Sequence, residues 1–106
     1  APENINLDAP RNGETFRVMV HNFSGLLAHP IVNIYCSGRR VATYGAGPDA
    51  LEGFQGNAPP RIGAMWRVTD VTTFVTPEGM TRCEAKLLHP PGRPGAYFVT
   101  HFDGSY

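Results

Sequence analysis

Two runs of strand-forming residues, Ile31 to Cys36 and Arg39 to Tyr44, are separated only by Ser37-Gly38, and that spacing constrains the fold more than any other feature. Each run is too short for a stable helix, and both carry β-branched and aromatic side chains. Joined by two turn-forming residues, they predict a β-hairpin. In the first run Val32, Ile34 and Cys36 share one face while Ile31, Asn33 and Tyr35 share the other. In the second, Val41 and Thr43 alternate with Ala42 and Tyr44.

The same two-residue period recurs along the chain. A short edge strand is expected around residues 4–8, where Ile5 and Leu7 alternate with polar neighbours. Glu14 to Asn22 sets Phe16, Val18 and Val20 against Arg17, Met19 and His21. Thr81 to Leu88 sets Cys83, Ala85 and Leu87 against Arg82, Glu84 and Lys86, and Ala96 to Phe102 closes the chain. Met65 to Val75 is β-rich but too irregular for one flat strand, so a bend or bulge is expected near Asp70. Asn12-Gly13, Ser24-Gly25, Pro77-Glu78-Gly79 and residues 89–94 punctuate these runs. With 12 Gly and 10 Pro in 106 residues, a helical bundle is excluded. Residues 45–64 form a long Gly/Pro-rich connection with one helical turn expected within Pro48 to Phe54; such a loop carries function or crosses between sheets. The fold expected is all-β: a single domain over residues 1–106, an antiparallel β-sandwich of six to seven short strands in a Greek-key or jelly-roll-like order.

Charge narrows the class of partner. Nine Lys and Arg balance nine Asp and Glu, and the arginines are scattered, with only Arg39 and Arg40 adjacent, so no nucleic-acid partner is expected. No apolar run approaches the roughly 20 residues of a spanning helix, so no membrane insertion is expected. The chain begins at Ala1 without a basic-then-apolar leader, which is the expectation for a processed product or a piece of something longer.

Motifs for chemistry are sparse. Cys36 and Cys83 both fall on faces assigned to the core, and neither belongs to a CxxC pair; a disulfide is expected, with two buried thiols of a cytosolic protein as the alternative. His21, His29, His89 and His101 lack metal-ligand spacing and are expected to face solvent or to form hydrogen bonds, and no metal or cofactor is assigned. Glu3, Asp8, Asp49, Glu52 and Asp103 contain no calcium-loop pattern, though some of them meeting at one end of a sandwich is the alternative. Ser24, Ser37 and Ser105 sit beside glycines in turns or the tail, not in a nucleophile elbow. A carboxylate pair for glycoside chemistry can be assembled on paper from Asp70, Glu84 and Asp103, but nothing in their spacing favours one.

Recognition is the better prospect. Tyr35 and Tyr44, in strands beside Asn33, and Phe54, in the long loop, are the candidate contacts for a partner, whereas Trp66 is read as core. Asn22-Phe23-Ser24 matches a glycosylation acceptor, a pattern short enough to arise by chance.

Residues 2–7 (PENINL), 13–25, 31–45 and 65–71 resemble the later half of YfaP-like β-sandwich domains, which have no known function and occur in bacterial secreted or surface proteins. Phe16-Arg17-Val18-Met19-Val20-His21, Val32-Asn33-Ile34-Tyr35-Cys36-Ser37-Gly38 and Trp66-Arg67-Val68 carry the resemblance, which spans roughly residues 2 to 88. It implies a secreted or surface-exposed bacterial sandwich, and it supplies no catalytic residue. The expected function is therefore a non-catalytic interaction or assembly module working through a sheet face or an edge strand, with a protein partner or self-assembly. A carbohydrate-binding module is the first alternative and a small secreted hydrolase the second.

Overall fold

A computed structural model of the chain describes residues 3–22, 27–51, 54, 63–89 and 96–99. Seven strands follow in order: β1 (Glu3–Leu7), β2 (Thr15–Asn22), β3 (Val32–Cys36), β4 (Arg39–Tyr44), β5 (Gly63–Val75), β6 (Thr81–Leu87) and β7 (Ala96–Val99). The first sheet has the order β1-β3-β4. In the second, β2 lies on one edge of β5, and β6 and β7 follow one another along its other edge. The two sheets pack as a small all-β sandwich. The expected helical turn is a short 3-10 turn at Gly47–Asp49, with Pro48 near its start. Among the described residues no helix is long and apolar enough to cross a membrane.

Pairing is antiparallel except between β1 and β3, which run parallel. Parallel neighbours need a crossover connection, and β2 supplies it by visiting the other sheet between them. The edge strand expected around residues 4–8 is β1, which lies at the edge of the first sheet and pairs with β3, Glu3 opposite Val32 through Leu7 opposite Cys36. The expected hairpin is present, with Cys36 opposite Arg39. Ser37 (φ 49°) and Gly38 (φ 78°) both take the positive φ that a two-residue turn matched to strand twist requires.

Two bulges interrupt the alternation. In β4, Ile34 faces Ala42 and Tyr35 faces Arg40, so Val41 is the extra residue. In β5, Val18 faces Thr69 and Met19 faces Arg67, so Val68 is extra; this is the irregularity expected near Asp70. Trp66 and Val68 point inward before that bulge, and Thr69, Val71 and Thr73 after it.

The core draws Val32 and Ile34 from the first sheet and Val18, Trp66, Val68 and Val71 from the second. Leu51 and Phe54 join it from the long connection, Phe54 meeting Trp66 edge-on at 6.4 Å. That connection is fastened at three points: His29 Nδ1 donates to the Leu51 carbonyl (2.9 Å), and the Ala28 amide (3.0 Å) and Asn22 Nδ2 (3.2 Å) donate to that of Phe54. Asn22 is therefore buried and engaged, so the glycosylation match falls on a side chain the fold has already used. The Cys36–Cys83 disulfide joins β3 to β6 and so ties one sheet to the other.

Candidate functional site

The expected aromatic trio does not converge. Tyr35 lies half-buried on the outer face of the first sheet, in a row with Asn6 and Arg40. Tyr44 faces Val32, which is fully buried, and packs against the core. An unbulged hairpin would have placed Tyr44 opposite Ile31 on the outer face; the extra residue at Val41 reverses its direction, which corrects the expectation. Phe54, at 1% exposure, is a core residue rather than a surface contact, because its ring packs edge-on against Trp66 while its carbonyl is held by Ala28 and Asn22.

The carboxylates offer little chemistry. Asp70 and Glu84 share the outer face of the second sheet but occupy different rows, Asp70 opposite Lys86 and Glu84 opposite Thr72. Arg17 grips both oxygens of Asp70, Nε to Oδ1 at 2.8 Å and Nη2 to Oδ2 at 3.0 Å. This hydrogen bonding holds the Asp70 pKa below its ordinary value, the opposite of what a general acid requires. Asp103 lies outside the described residues. Among the described residues no group of three His, Cys, Asp or Glu side chains gathers as a metal site. Glu52 also lies outside them. Of the histidines, His89 accepts a hydrogen bond at Nε2 from the buried Trp66 indole (2.7 Å), and burial lowers the His21 pKa from its ordinary value. His101 lies outside the described residues.

The structure instead gathers residues at the disulfide. The positive-φ turn at Ser37-Gly38 ends the β3–β4 hairpin on one side. On the other, the β5–β6 turn closes on Thr76, whose amide donates to the Met80 carbonyl (2.8 Å) and whose Oγ1 accepts from the Met80 amide (3.1 Å). That closure leaves the Met80 side chain 67% exposed. The Cys36–Cys83 bridge holds the two turns beside one another, and between them opens a cleft of about 480 Å³ lined by Arg39, Val41, Met80, Thr81 and Arg82. Phe74, opposite Arg82 in the sheet, is also exposed and lines an adjoining depression bordered by Arg82 and Glu84. Three of the four large hydrophobic side chains exposed among the described residues, Val41, Phe74 and Met80, thus stand at one end of the sandwich.

None of these residues was singled out from the sequence. A signal was present: Arg39 follows Cys36 by three positions and Arg82 immediately precedes Cys83, so a bridge between the cysteines brings the arginines together. No family model matches this chain, and neither a curated protein nor a solved structure matches it.

Proposed function

We propose that the chain is a non-catalytic extracellular interaction module that binds a protein partner through the disulfide-stapled end of its sandwich. The observation that carries this reading is the gathering of exposed Val41 and Met80 in a cleft flanked by Arg39 and Arg82, with exposed Phe74 beside Arg82 in the adjoining depression. Exposed apolar residues are ordinary when scattered and informative when clustered. Methionine, aromatic residues and arginine are the types enriched in the centres of protein interfaces. The disulfide supports the reading twice. It fixes the two turns, so less ordering is needed on binding, and such bonds persist outside the reducing cytoplasm. A glycan-binding reading is less favoured, since it needs neighbouring exposed aromatics on one face, whereas among the described residues the outward-facing Tyr35 and Phe74 lie on different sheets.

The test places a photo-crosslinking residue at Met80, or at Glu3 on the far edge of the first sheet as control, in the full chain produced in its source cells. A defined protein adduct from Met80 and none from Glu3 is expected. Equal labelling from both sites, or no adduct at Met80, would overturn the assignment. Intact mass of the same protein before reduction is expected to show both thiols blocked.

A further inference from the structure

The chemistry of the cleft narrows the partner further, an inference that rests on the interaction reading above. Arg39 and Arg82 both line it and both are exposed, and among the described residues no acidic side chain lines it. The ion pair of Arg17 with Asp70 uses neither arginine, and no carboxylate among the described residues lies within ion-pairing distance of either. Glu78 and Glu84, the acidic residues nearest to Arg82 in the chain, are no exception. Two guanidinium groups therefore face one cleft without an ion-paired carboxylate among the described residues, next to the apolar side chains of Met80 and Val41; Glu84 lines only the adjoining depression that Arg82 also borders. A guanidinium offers paired donors that match a carboxylate, and thioether and branched side chains take up apolar groups of varied shape.

We propose that this cleft binds an acidic peptide segment of the partner, with carboxylate side chains held by Arg39 and Arg82 and an adjoining apolar side chain seated on Met80 and Val41. Net charge does not attract such a segment, because the chain is neutral overall. The local pair of arginines does, and added salt weakens the attraction.

The experiment uses the full, disulfide-bonded chain and a fluorescein-labelled peptide in which Glu alternates with Leu and Phe, read by fluorescence anisotropy. Its controls are the same peptide with Gln for every Glu, and an oligogalacturonate, which carries carboxylates on a sugar backbone. Arg39→Gln and Arg82→Gln are each expected to weaken peptide binding about tenfold, with unchanged melting temperature because both side chains are exposed. The Gln peptide is expected to bind at least about tenfold more weakly than the Glu peptide, and binding is expected to fall between about 50 mM and about 300 mM salt. No binding of the Glu peptide, equal binding of the Gln peptide, or indifference to both arginine substitutions would overturn the proposal. So would arginine-dependent binding of the oligogalacturonate alone, which would make the ligand an acidic glycan. A Met80 crosslink that persists alongside equal binding of the Gln peptide would remove the acidic preference and leave the interaction reading standing. Loss of the Met80 crosslink would remove both.

Discussion

Trp66 is the residue around which the interior is arranged, and two distant positions depend on it. Its indole N–H is buried and donates to His89 Nε2, so the imidazole must keep a lone pair on that nitrogen. Removing the acceptor strands a buried donor, which costs more than the net value of the bond itself. His89→Ala is expected to lower unfolding free energy by about 2 kcal/mol, measured by urea denaturation followed by tryptophan fluorescence. An unchanged midpoint would mean that water or another group replaces the imidazole. Gly45 is the second position. Its φ of +89° is one that side chains rarely adopt, and a Cβ there would run into the Pro30 carbonyl oxygen and approach the Trp66 ring to 3.2 Å. The obstructing atom is backbone, which cannot swing aside as a side-chain tip would. Gly45→Ala is expected to cost about 2–3 kcal/mol in the same measurement. Gly13, by contrast, has a similar φ but open space around it.

At the scale of the strands, what the sequence discloses depends on whether alternation runs unbroken. In β6 it does: Cys83 and Ala85 lean inward and Arg82, Glu84 and Lys86 outward, as the pattern alone implies. In β5 the extra residue Val68 reverses the phase. Unbroken alternation from Trp66 would bury Asp70 and Thr72; the bulge buries Thr69 and Thr73 instead and sends Asp70 out to Arg17. The two buried hydroxyls are satisfied by donating to backbone carbonyls, Thr69 to Lys86 (2.7 Å) and Thr73 to Arg11 (2.6 Å). An irregular run announces that a bulge exists near Asp70, but not which residue is extra. In β4 nothing announces it, and so the direction of Tyr44 was not legible. The cleft was hidden for a different reason: its arginines are remote in sequence, and only the paired cysteines beside them connect the two. The hairpin turn, by contrast, is legible to the level of its dihedrals. Ser37 holds φ 49°, where Asn is tolerated better than Ser. Ser37→Asn is therefore expected to stabilise the fold by about 0.5 kcal/mol, seen as a higher urea midpoint with an unchanged slope. A lower midpoint would show that Ser37 has a role in the cleft that the turn geometry does not explain.

For the whole molecule, two contributions to stability besides the shared core respond to different reagents, a disulfide between the sheets and titrating groups within the second. The disulfide closes a loop of sequence separation 47 between β3 and β6. Constraining the unfolded chain to that extent stabilises the fold by about 4 kcal/mol, a large part of what a domain of this size possesses. The Cys36→Ser/Cys83→Ser double variant is expected to lose about that much, and a loss under about 1 kcal/mol would mean that the unfolded chain is already restricted at those positions. Acid acts through protonation instead. Burial favours neutral His21, so its pKa in the fold lies below the ordinary 6.5; the unfolded chain binds the proton first, and stability is lost as pH falls from 6.5 through the folded value. The Arg17 hydrogen bonds favour ionised Asp70, whose pKa lies below the ordinary 3.8; the pair's contribution is present above that value and is lost as pH falls through the folded one. Both shifts have the same sign, so stability should decline on acidification in two stages, His21 first and Asp70 second. The second stage is small, under about 1 kcal/mol, because the pair is partly exposed, Arg17 at 42% and Asp70 at 27%. Urea midpoints taken from about pH 8 to about pH 3 with the disulfide intact resolve the two stages. His21→Gln is expected to flatten the first and Asp70→Asn the second, each leaving the other in place. A midpoint that rises as pH falls below 6.5 would contradict the burial of His21, and an unchanged lower stage in the Asp70→Asn variant would show that the ion pair contributes nothing to the stability of the second sheet.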